Sequence, residues 1–320
     1  MLQKQLKQIS FFRHWPQAAL VQLAKVAELK TYDANRIIFK EGGTRDRLQI
    51  VISGAVVVEK NILGQQEPLA VFKPYDILSE HVIVSPGGKH HHTGKSYVPD
   101  TTILTISVLE LLKIFRHHPR AAFFSHQATL SILNTRLEQT NDKLLTLFAI
   151  SKLSNTAKNV ADLGETLLET LLKIFEVKKG LLCSFEPAGQ KANIIAALGY
   201  GKKYIPDNIA LSSDTVLSLI YNTHKSLIIS SQNWERKFSS AAYATKNMLL
   251  VPLAIKKRLV GCIILADKNN NNMFSLNNEI LLMAIAEQIA PILDQFEQEE
   301  YQRNAINIHQ RYIDPFNGLT

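Results

Sequence analysis

The chain has 320 residues, of which 46% are hydrophobic and 20% charged, and its formal net charge is +8 at pH 7. This composition predicts a folded soluble protein of about two domains. No apolar run approaches the ~18 residues of a membrane span, and the N-terminus lacks a signal-peptide pattern, so we expect a cytoplasmic protein with no membrane partner. Residues 1–130 carry 16 basic and 10 acidic side chains, which suits an anionic small molecule. Nucleic acid is not expected, because no recognition helix with clustered basic residues is present.

The first half of the chain shows a helical stretch, then several strands, then further helices. The first helix is predicted at 16–30, and the segments RIIF and LQIVISGAVVV are typical of strands joined by the turn EGGTRD. Gly54 interrupts the second of these strands and predicts a bulge or a tight bend. The segments PLAVF, HVIV and TTILTISV are further predicted strands. This order favours a β-roll or jelly roll flanked by helices.

The segment YDANRIIFKEGGTRDRLQIVISGAVVVEK resembles the strand, glycine turn and strand signature of the cyclic-nucleotide-binding domain. The resemblance covers roughly residues 5–125. It implies a phosphate-binding cassette in which a glycine–glutamate step, a short helix and an arginine hold a cyclic nucleotide. The glutamate takes the ribose hydroxyl and the arginine pairs with the phosphate. Glu80 stands at the glutamate position, and Ser79 replaces the glycine.

The chain departs from that cassette in one important respect, since no arginine occurs between Arg47 and Arg116. Lysines and histidines are the nearest cations, and none supplies the planar, permanently charged fork of arginine. The β-branched segment EHVIVSP also argues against the cassette helix. We therefore expect an altered pocket, with cyclic-nucleotide binding weakened or lost, or with a different ligand bound.

The stretch SPGGKHHHTGKSYVPD, residues 85–100, allows several interpretations. A Walker A loop is excluded because five residues separate Gly88 and Gly94 where four are needed, and because no helix follows. A zinc site is disfavoured, since adjacent histidines are poorly placed and no cysteine or carboxylate is near. A solvated polar loop and a remodelled ligand site remain open. If histidines hold an anion there, binding should weaken above pH ~6.5. The candidate ligand-binding residues are Ser79, Glu80, His91, His92, Thr93 and Lys95.

A stripe of mainly leucine residues runs through the predicted connector helix, 126–150. Its members, at spacings of three and four, are Leu130, Leu133, Leu137, Thr140, Leu144 and Leu147. The opposite face is polar, includes Arg136, and is typical of an exposed linker. The helix either packs on its own domain or forms a parallel dimer that joins two sensory domains. We favour the dimer helix.

The second half begins a new pattern of helix, antiparallel strands and terminal helix, which predicts an α+β domain. A helix at 156–177 precedes two strands joined by the turn PAGQK, and a second helix at 211–225 has Ser212 or Ser213 as its cap. Three strands follow, the last two joined by the turn KKR. A long helix capped by Ser275 ends the domain.

The segments NMLLVPLAIKKRLVGCIILADK and MFSLNNEILLMAIAEQIAPIL resemble the closing strands and helix of the GAF domain, a small-molecule sensor, over residues 145–297. Cyclic-nucleotide-binding members of that family carry an Asn-Lys, Phe and Asp-Glu set. The residues at those spacings here are Asp267, Lys268, Phe274, Asn278 and Glu279. Two of the five differ, and Asn278 lacks the carboxylate that would pair with Lys268. We interpret the set as structural.

The two cysteines, Cys183 and Cys262, cannot form a disulfide framework. Both lie in apolar segments that predict strands. We expect buried core thiols and neither a redox sensor nor a pigment attachment site.

We therefore expect an α+β protein with a cyclic-nucleotide-binding-like domain (1–125), a connector helix (126–150), a GAF-like domain (151–298) and a helical tail (299–320). The expected function is signal sensing, in which a small nucleotide-type ligand is bound and its binding is relayed through dimer helices to an unknown output partner. No catalytic constellation, metal site or cofactor is expected, apart from a cyclic nucleotide as ligand. The alternatives are an interaction scaffold with degenerate pockets and the regulatory half of a larger signalling enzyme.

Overall fold

The computed structural model describes residues 2–313 except 63, 154–156, 187–188, 202–204, 236–237 and 240. The chain divides into two compact units, residues 1–141 and 142–320. The predicted end of the last helix near Pro315, and Pro187 and Ala188 of the predicted PAGQK turn, lie outside the described residues.

The first unit is built on two antiparallel sheets, in strand orders β1-β7-β3 and β2-β6-β4-β5. The strands are β1 (Glu28–Tyr32), β2 (Ile37–Phe39), β3 (Arg47–Ser53), β4 (Val56–Ile62), β5 (Gln65–Phe72), β6 (Thr93–Ser96) and β7 (Thr101–Ser107). Strands adjacent in space are often distant in sequence, as in the pairing of β3 with β7. This pattern matches the predicted β-roll flanked by helices.

Four short helices and the start of a fifth accompany these sheets. They are α1 (Leu2–Gln8), α2 (Gln17–Val26), α3 (His81–Val84), α4 (Val108–His117) and α5 (Pro119–Leu153). The core joins apolar side chains of α2 and α4 to Leu48, Ile50 and Leu104 of the sheet, with the aromatic cluster of Phe11, Phe12 and Trp15. Burial of these large side chains is the main stabilising contribution in the unit.

The segment HVIV was predicted to form a strand. This prediction is wrong, because the segment forms the short helix α3. Val82 and Ile83 are buried in the core of the unit. Packing of these two side chains outweighs the β preference of β-branched residues, since helix propensity is a weak local term.

The helix α5 is continuous over 35 residues, and the predicted connector, 126–150, lies inside it. It begins at Pro119, whose fixed φ suits the first helical position. The preceding residue, His118, has an extended conformation (φ −131°, ψ 75°) and ends α4. A residue before proline is disfavoured in the helical region, which accounts for the break between the two helices.

The second unit contains one six-stranded antiparallel sheet, in strand order β10-β9-β8-β13-β12-β11. Its strands are β8 (Val177–Phe185), β9 (Lys191–Leu198), β10 (Asn208–Ala210), β11 (Leu227–Ile229), β12 (Met248–Ile255) and β13 (Arg258–Lys268). Its helices are α6 (Val160–Ile174), α7 (Thr215–Thr223) and α8 (Leu276–Ile313). The expected α+β order is confirmed.

Alternate residues of each strand point to opposite faces of this sheet. Helices cover both faces. Leu182, Leu249 and Ile263 pack with α6 and α8. Cys183 and Leu250 pack in a second cluster with α7. The near-continuous apolar runs of β8, β12 and β13 follow from this double coverage.

One of the two predicted helix caps is wrong and the other is confirmed. Asp214, not Ser212 or Ser213, caps α7: its Oδ1 accepts from the backbone N–H groups of Val216 and Leu217 at 3.0 and 2.9 Å. A carboxylate at this position also suits the positive end of the helix dipole. Ser275 caps α8, since its Oγ accepts from the Asn278 N–H at 3.3 Å.

Candidate functional site

Glu80 lies at the end of a segment that is tied firmly to β3. The Leu78 N–H donates to the Gln49 carbonyl oxygen at 2.9 Å. The Ser79 Oγ accepts from the Gln49 N–H at 2.9 Å and donates to the Arg47 carbonyl oxygen at 2.8 Å. These bonds hold the Glu80 side chain inside the unit with no solvent exposure. Ser79, a predicted ligand residue, is thus engaged by the fold itself.

The two carboxylate oxygens of Glu80 have different surroundings. Oε1 accepts from Nη1 of Arg136 and lies 3.3 Å from Nδ1 of His81. Oε2 is buried and has no hydrogen-bond partner in the described residues. A buried acceptor without a partner costs about 1–3 kcal/mol. Oε2 is therefore a fixed acceptor that the described residues leave unsatisfied.

The charge of Glu80 is held in place by its neighbours. Burial alone would raise the pKa of this carboxyl, but the hydrogen bond with His81 and the positive charge of Arg136 outweigh burial, so the pKa lies below its ordinary value. Glu80 is therefore ionised throughout the neutral pH range.

Arg136 was predicted to lie on the polar, exposed face of the connector helix, and the structure corrects this. Its Nη2 donates to the Ile77 carbonyl oxygen at 2.6 Å, and its guanidinium lies 5.0 Å from the centroid of the Phe72 ring. Only 32% of its side chain is exposed. The planar guanidinium thus contacts Glu80, the Ile77 carbonyl oxygen and the Phe72 ring at the same time. One helical residue thus reaches both the backbone and the acidic group of the candidate site.

Two other predicted ligand residues have partners within the unit. Lys95 forms an ion pair with Glu59 on the neighbouring strand. Thr93 is buried, and its Oγ1 accepts from the Glu41 N–H at 3.1 Å. Lys95 thus supports the pairing of β6 with β4, and Thr93 joins β6 to the turn that follows β2. A ligand would have to displace these bonds to reach either side chain.

Two histidines of the run, His90 and His92, carry little positive charge near pH 7. Burial is the main cause that lowers the pKa of His90, and the positive charge of Arg45 lowers it further. Burial is also the main cause that lowers the pKa of His92, and the positive charge of Lys60 adds to it. The His90 ring stacks on Phe39, with 4.4 Å between ring centroids. Because both pKa values lie below the ordinary value, which is itself near 6.5, these two imidazoles are neutral at pH 7. An anion that contacts these two rings therefore needs a cation from another residue.

The candidate set in the second unit is occupied by structural contacts. Lys268 Nζ lies 3.4 Å from the Asn278 Oδ1, and Asp267 pairs with Lys179 at 2.7 Å. Phe274 is buried in the core, and Glu279 accepts a hydrogen bond from the Ser226 hydroxyl. The contact of Lys268 with Asn278 joins the end of β13 to the start of α8, and the contact of Asp267 with Lys179 joins β13 to β8. These contacts agree with a structural interpretation of the set.

Both cysteines are fully buried and face one another across β8 and β13. Burial raises the pKa of Cys183 to about 12 and that of Cys262 well above its ordinary value. Their Sγ atoms donate only to backbone carbonyl oxygens, at 3.7 and 3.6 Å. The expected core thiols are confirmed.

Two other features are absent from the described residues. Within the described residues, no group of three or more histidine, cysteine, aspartate or glutamate side chains could hold a metal ion. Among the helices of the described chain, none combines the length and apolarity that crossing a membrane requires.

Solved structures similar to each half of the chain were found, and none of the curated proteins matches it. The sensor domain of the transcriptional regulator DNR from Pseudomonas aeruginosa is 22% identical, over 44% of this chain and 91% of its own, with a TM-score of 0.38. The Thermus thermophilus catabolite activator protein is 23% identical, over 51% and 71%, with a TM-score of 0.36. The GAF domain of the Acinetobacter phosphoenolpyruvate-protein phosphotransferase is 17% identical, over 50% and 97%, with a TM-score of 0.42.

Family models match both halves of the chain. The cyclic nucleotide-binding domain matches residues 29–118, which include Glu80. The GAF domain matches residues 159–295. Arg136 lies between the two matched regions, which leaves it outside both family patterns. The chain therefore contains a cyclic nucleotide-binding domain followed by a GAF domain.

Proposed function

We propose that this chain is a cytoplasmic regulatory protein that binds a nucleotide-type ligand in its first domain and relays the binding event through α5. One observation carries the proposal. The fully buried Glu80 has one oxygen held by Arg136 of α5, while its other oxygen has no partner among the described residues. The two domain types, which belong to regulatory and sensory proteins, support the same function. The proposal assigns no catalytic step to the chain.

The geometry at Glu80 suggests how a ligand would be sensed. A sugar hydroxyl that donates to Oε2 would satisfy the vacant acceptor and would compete with Arg136 for the charge of the same carboxylate. Any such competition changes the free energy with which α5 is held against the pocket. A ligand shifts a conformational equilibrium by its differential affinity for the two states. The ion pair of Glu80 and Arg136 is thus a direct coupling between ligand and helix.

The first prediction concerns ligand binding by the full chain. In thermal melts with cAMP, cGMP or a cyclic dinucleotide, a ligand at ~100 times its dissociation constant should add ~2.7 kcal/mol of stability, which is a rise of several degrees in Tm. Glu80→Gln should weaken binding by ~10-fold or more, because a hydrogen bond to a charged acceptor is lost.

The matched control is Glu110→Gln, which removes a carboxylate from an exposed i,i+3 ion pair with Lys113 on α4. Binding by this variant should equal that of the wild type. If no nucleotide raises the Tm of the wild-type chain, the nucleotide proposal fails and the interaction scaffold becomes the better interpretation. If coding sequence for a catalytic domain follows Thr320, the chain is the regulatory half of a larger enzyme.

We also propose that α5 pairs with α5 of a second copy. Phe123, Leu130, Leu137 and Leu144 follow one another at intervals of seven residues, and each is more than half exposed, between 59% and 65%. Leu130, Leu137 and Leu144 lie in the predicted stripe, and Phe123 extends its seven-residue spacing toward the start of the helix. A seven-residue apolar repeat on an exposed helix face is the pattern of a two-stranded coiled coil. Leaving four such side chains in water is unfavourable by about 1.5–3 kcal/mol each relative to burial.

The second prediction follows from this stripe. Leu137→Glu places a charge in the proposed seam and should convert a dimer to a monomer at micromolar concentration, as measured by sedimentation velocity. Leu109→Glu changes a leucine that is 71% exposed on α4, away from the stripe, and should leave the dimer intact. A wild-type chain that sediments as a monomer would contradict the proposal.

A further inference from the structure

Arg45 is a buried arginine in the turn between β2 and β3. Only 9% of the residue is exposed. Its backbone N–H donates to the Gly88 carbonyl oxygen at 2.7 Å. Its guanidinium lies directly over Gly88, where a Cβ atom would stand 2.6 Å from Nη2. The absence of a side chain at Gly88 is therefore what gives the guanidinium its place beside the loop of residues 85–90.

The charge of Arg45 has no counter-ion in the described part of the chain. Arg45 takes part in none of the ion pairs there, whereas Arg47 pairs with Glu28 and Arg136 with Glu80. Its Nε is buried without a hydrogen-bond partner. Its Nη2 has only a long contact of 3.5 Å to the Ser85 carbonyl oxygen. A buried cation without a partner costs several kcal/mol, so this arrangement indicates a missing anion.

The loop against which Arg45 packs has the character of an oxyanion site. The segment SPGGKH contains no carboxylate of its own. Burial and the charge of Arg45 lower the pKa of His90 against the opposing negative charge of Asp46, so the ring is neutral at pH 7. Arginine offers parallel N–H groups that match two oxygens of a phosphate or sulfate. Gly87 is exposed and has no side chain, which allows an anion close to the backbone there.

We infer that Arg45 is the cationic group of an oxyanion site formed with the loop of residues 85–90, and that it takes the phosphate of the ligand. This inference deepens the proposed function. Glu80, at one end of the segment 80–90, offers a vacant acceptor for a hydroxyl, and Arg45, against the other end, offers an unpaired cation. A phosphorylated sugar, as in a nucleotide, carries both complementary groups. The turn between β2 and β3 thus supplies the arginine that the cassette lacks.

The test compares three probes on the full chain by calorimetry and thermal melts: inorganic phosphate, cAMP and adenosine, at an ionic strength held constant with chloride. Arg45→Met should abolish the phosphate-specific rise in Tm and weaken cAMP binding by about 10- to 100-fold, because charge-assisted bonds are lost. Arg45→Lys, which keeps the charge without the fork, should recover part of the affinity. Adenosine binding should be unchanged. Arg47→Met, whose arginine is exposed and paired with Glu28, is the matched control.

Each outcome separates this inference from the proposed function. If cAMP binds the wild type and Arg45→Met equally well, the inference is overturned while the nucleotide proposal stands. If phosphate stabilises the wild type and not Arg45→Met, but no nucleotide binds, the oxyanion site stands and the nucleotide proposal fails. If phosphate and cAMP give the wild type no shift beyond that of Arg45→Met, there is no oxyanion site at Arg45.

Discussion

Replacing Arg136 by methionine should lower the free energy of unfolding of the first domain by about 3 kcal/mol, because it leaves the carboxylate of Glu80 buried without its cation. The value lies at the low end for buried pairs, since 32% of the Arg136 side chain is exposed and solvent screens part of the interaction. Urea unfolding followed by Trp15 fluorescence, in a Trp234→Phe background, measures the transition of the first domain. Trp15 lies in its core.

Two further variants test whether the loss comes from the ion pair. Arg120→Met removes an exposed arginine from the same helix and should change stability by less than about 0.5 kcal/mol. Glu80→Met combined with Arg136→Met removes both charges, and replacing a buried ion pair by apolar residues is often neutral, so the double variant should recover most of the loss. If Arg136→Met changes the free energy of unfolding as little as Arg120→Met does, the ion pair of Glu80 and Arg136 does not hold α5 to the pocket.

Gly54→Ala should destabilise the first domain by about 3–5 kcal/mol, the sum of a left-handed backbone conformation and steric overlap. Gly54 has a φ of +78°, and a Cβ atom there would lie 2.7 Å from the Cα of Thr101. The contact is with backbone, so no side-chain rotation relieves it. The same urea titration measures the effect.

The matched control for this glycine is Gly64→Ala, in the turn between β4 and β5. Gly64 has a φ of +88° but has no atom within 4 Å of the added Cβ. This variant should lower the free energy of unfolding only by the cost of placing alanine in a left-handed conformation, about 1–2 kcal/mol. Equal losses in the two variants would mean that the close approach to Thr101 contributes nothing, and that the bend requires glycine for its dihedral angle alone.

The sequence predicted the order of elements well where a strong local pattern exists. The apolar runs of β8, β12 and β13 and the amphipathic helix α6 are long and regular, and such elements are the most predictable. The short helix α3 was missed because two buried contacts decide its conformation against the preference of Val82, Ile83 and Val84. The cap of α7 was missed by one residue, since Asp and Ser are both good caps and local sequence does not choose between them.

The candidate site was only partly predictable, for a physical reason. Glu80 is found through its motif, because the strand and turn pattern around it is local. Its partner Arg136 is 56 residues away, on a helix face that composition alone describes as solvated. Arg45 lies in a polar turn, where exposure is the ordinary expectation. Long-range contacts decide the burial of both arginines, and a single sequence carries no signal for them.

The unreactive cysteines have a practical consequence for site-specific labelling of α5. A thiol reagent attacks the thiolate, and Cys183 and Cys262 are buried and have raised pKa values. A cysteine introduced at an exposed position of α5, such as Leu145, would therefore react with a spin label or dye while the native pair stays unmodified. The wild-type chain is thus already a suitable background for distance measurements, and the spacing of labels on two copies of α5 can be followed as ligand is added.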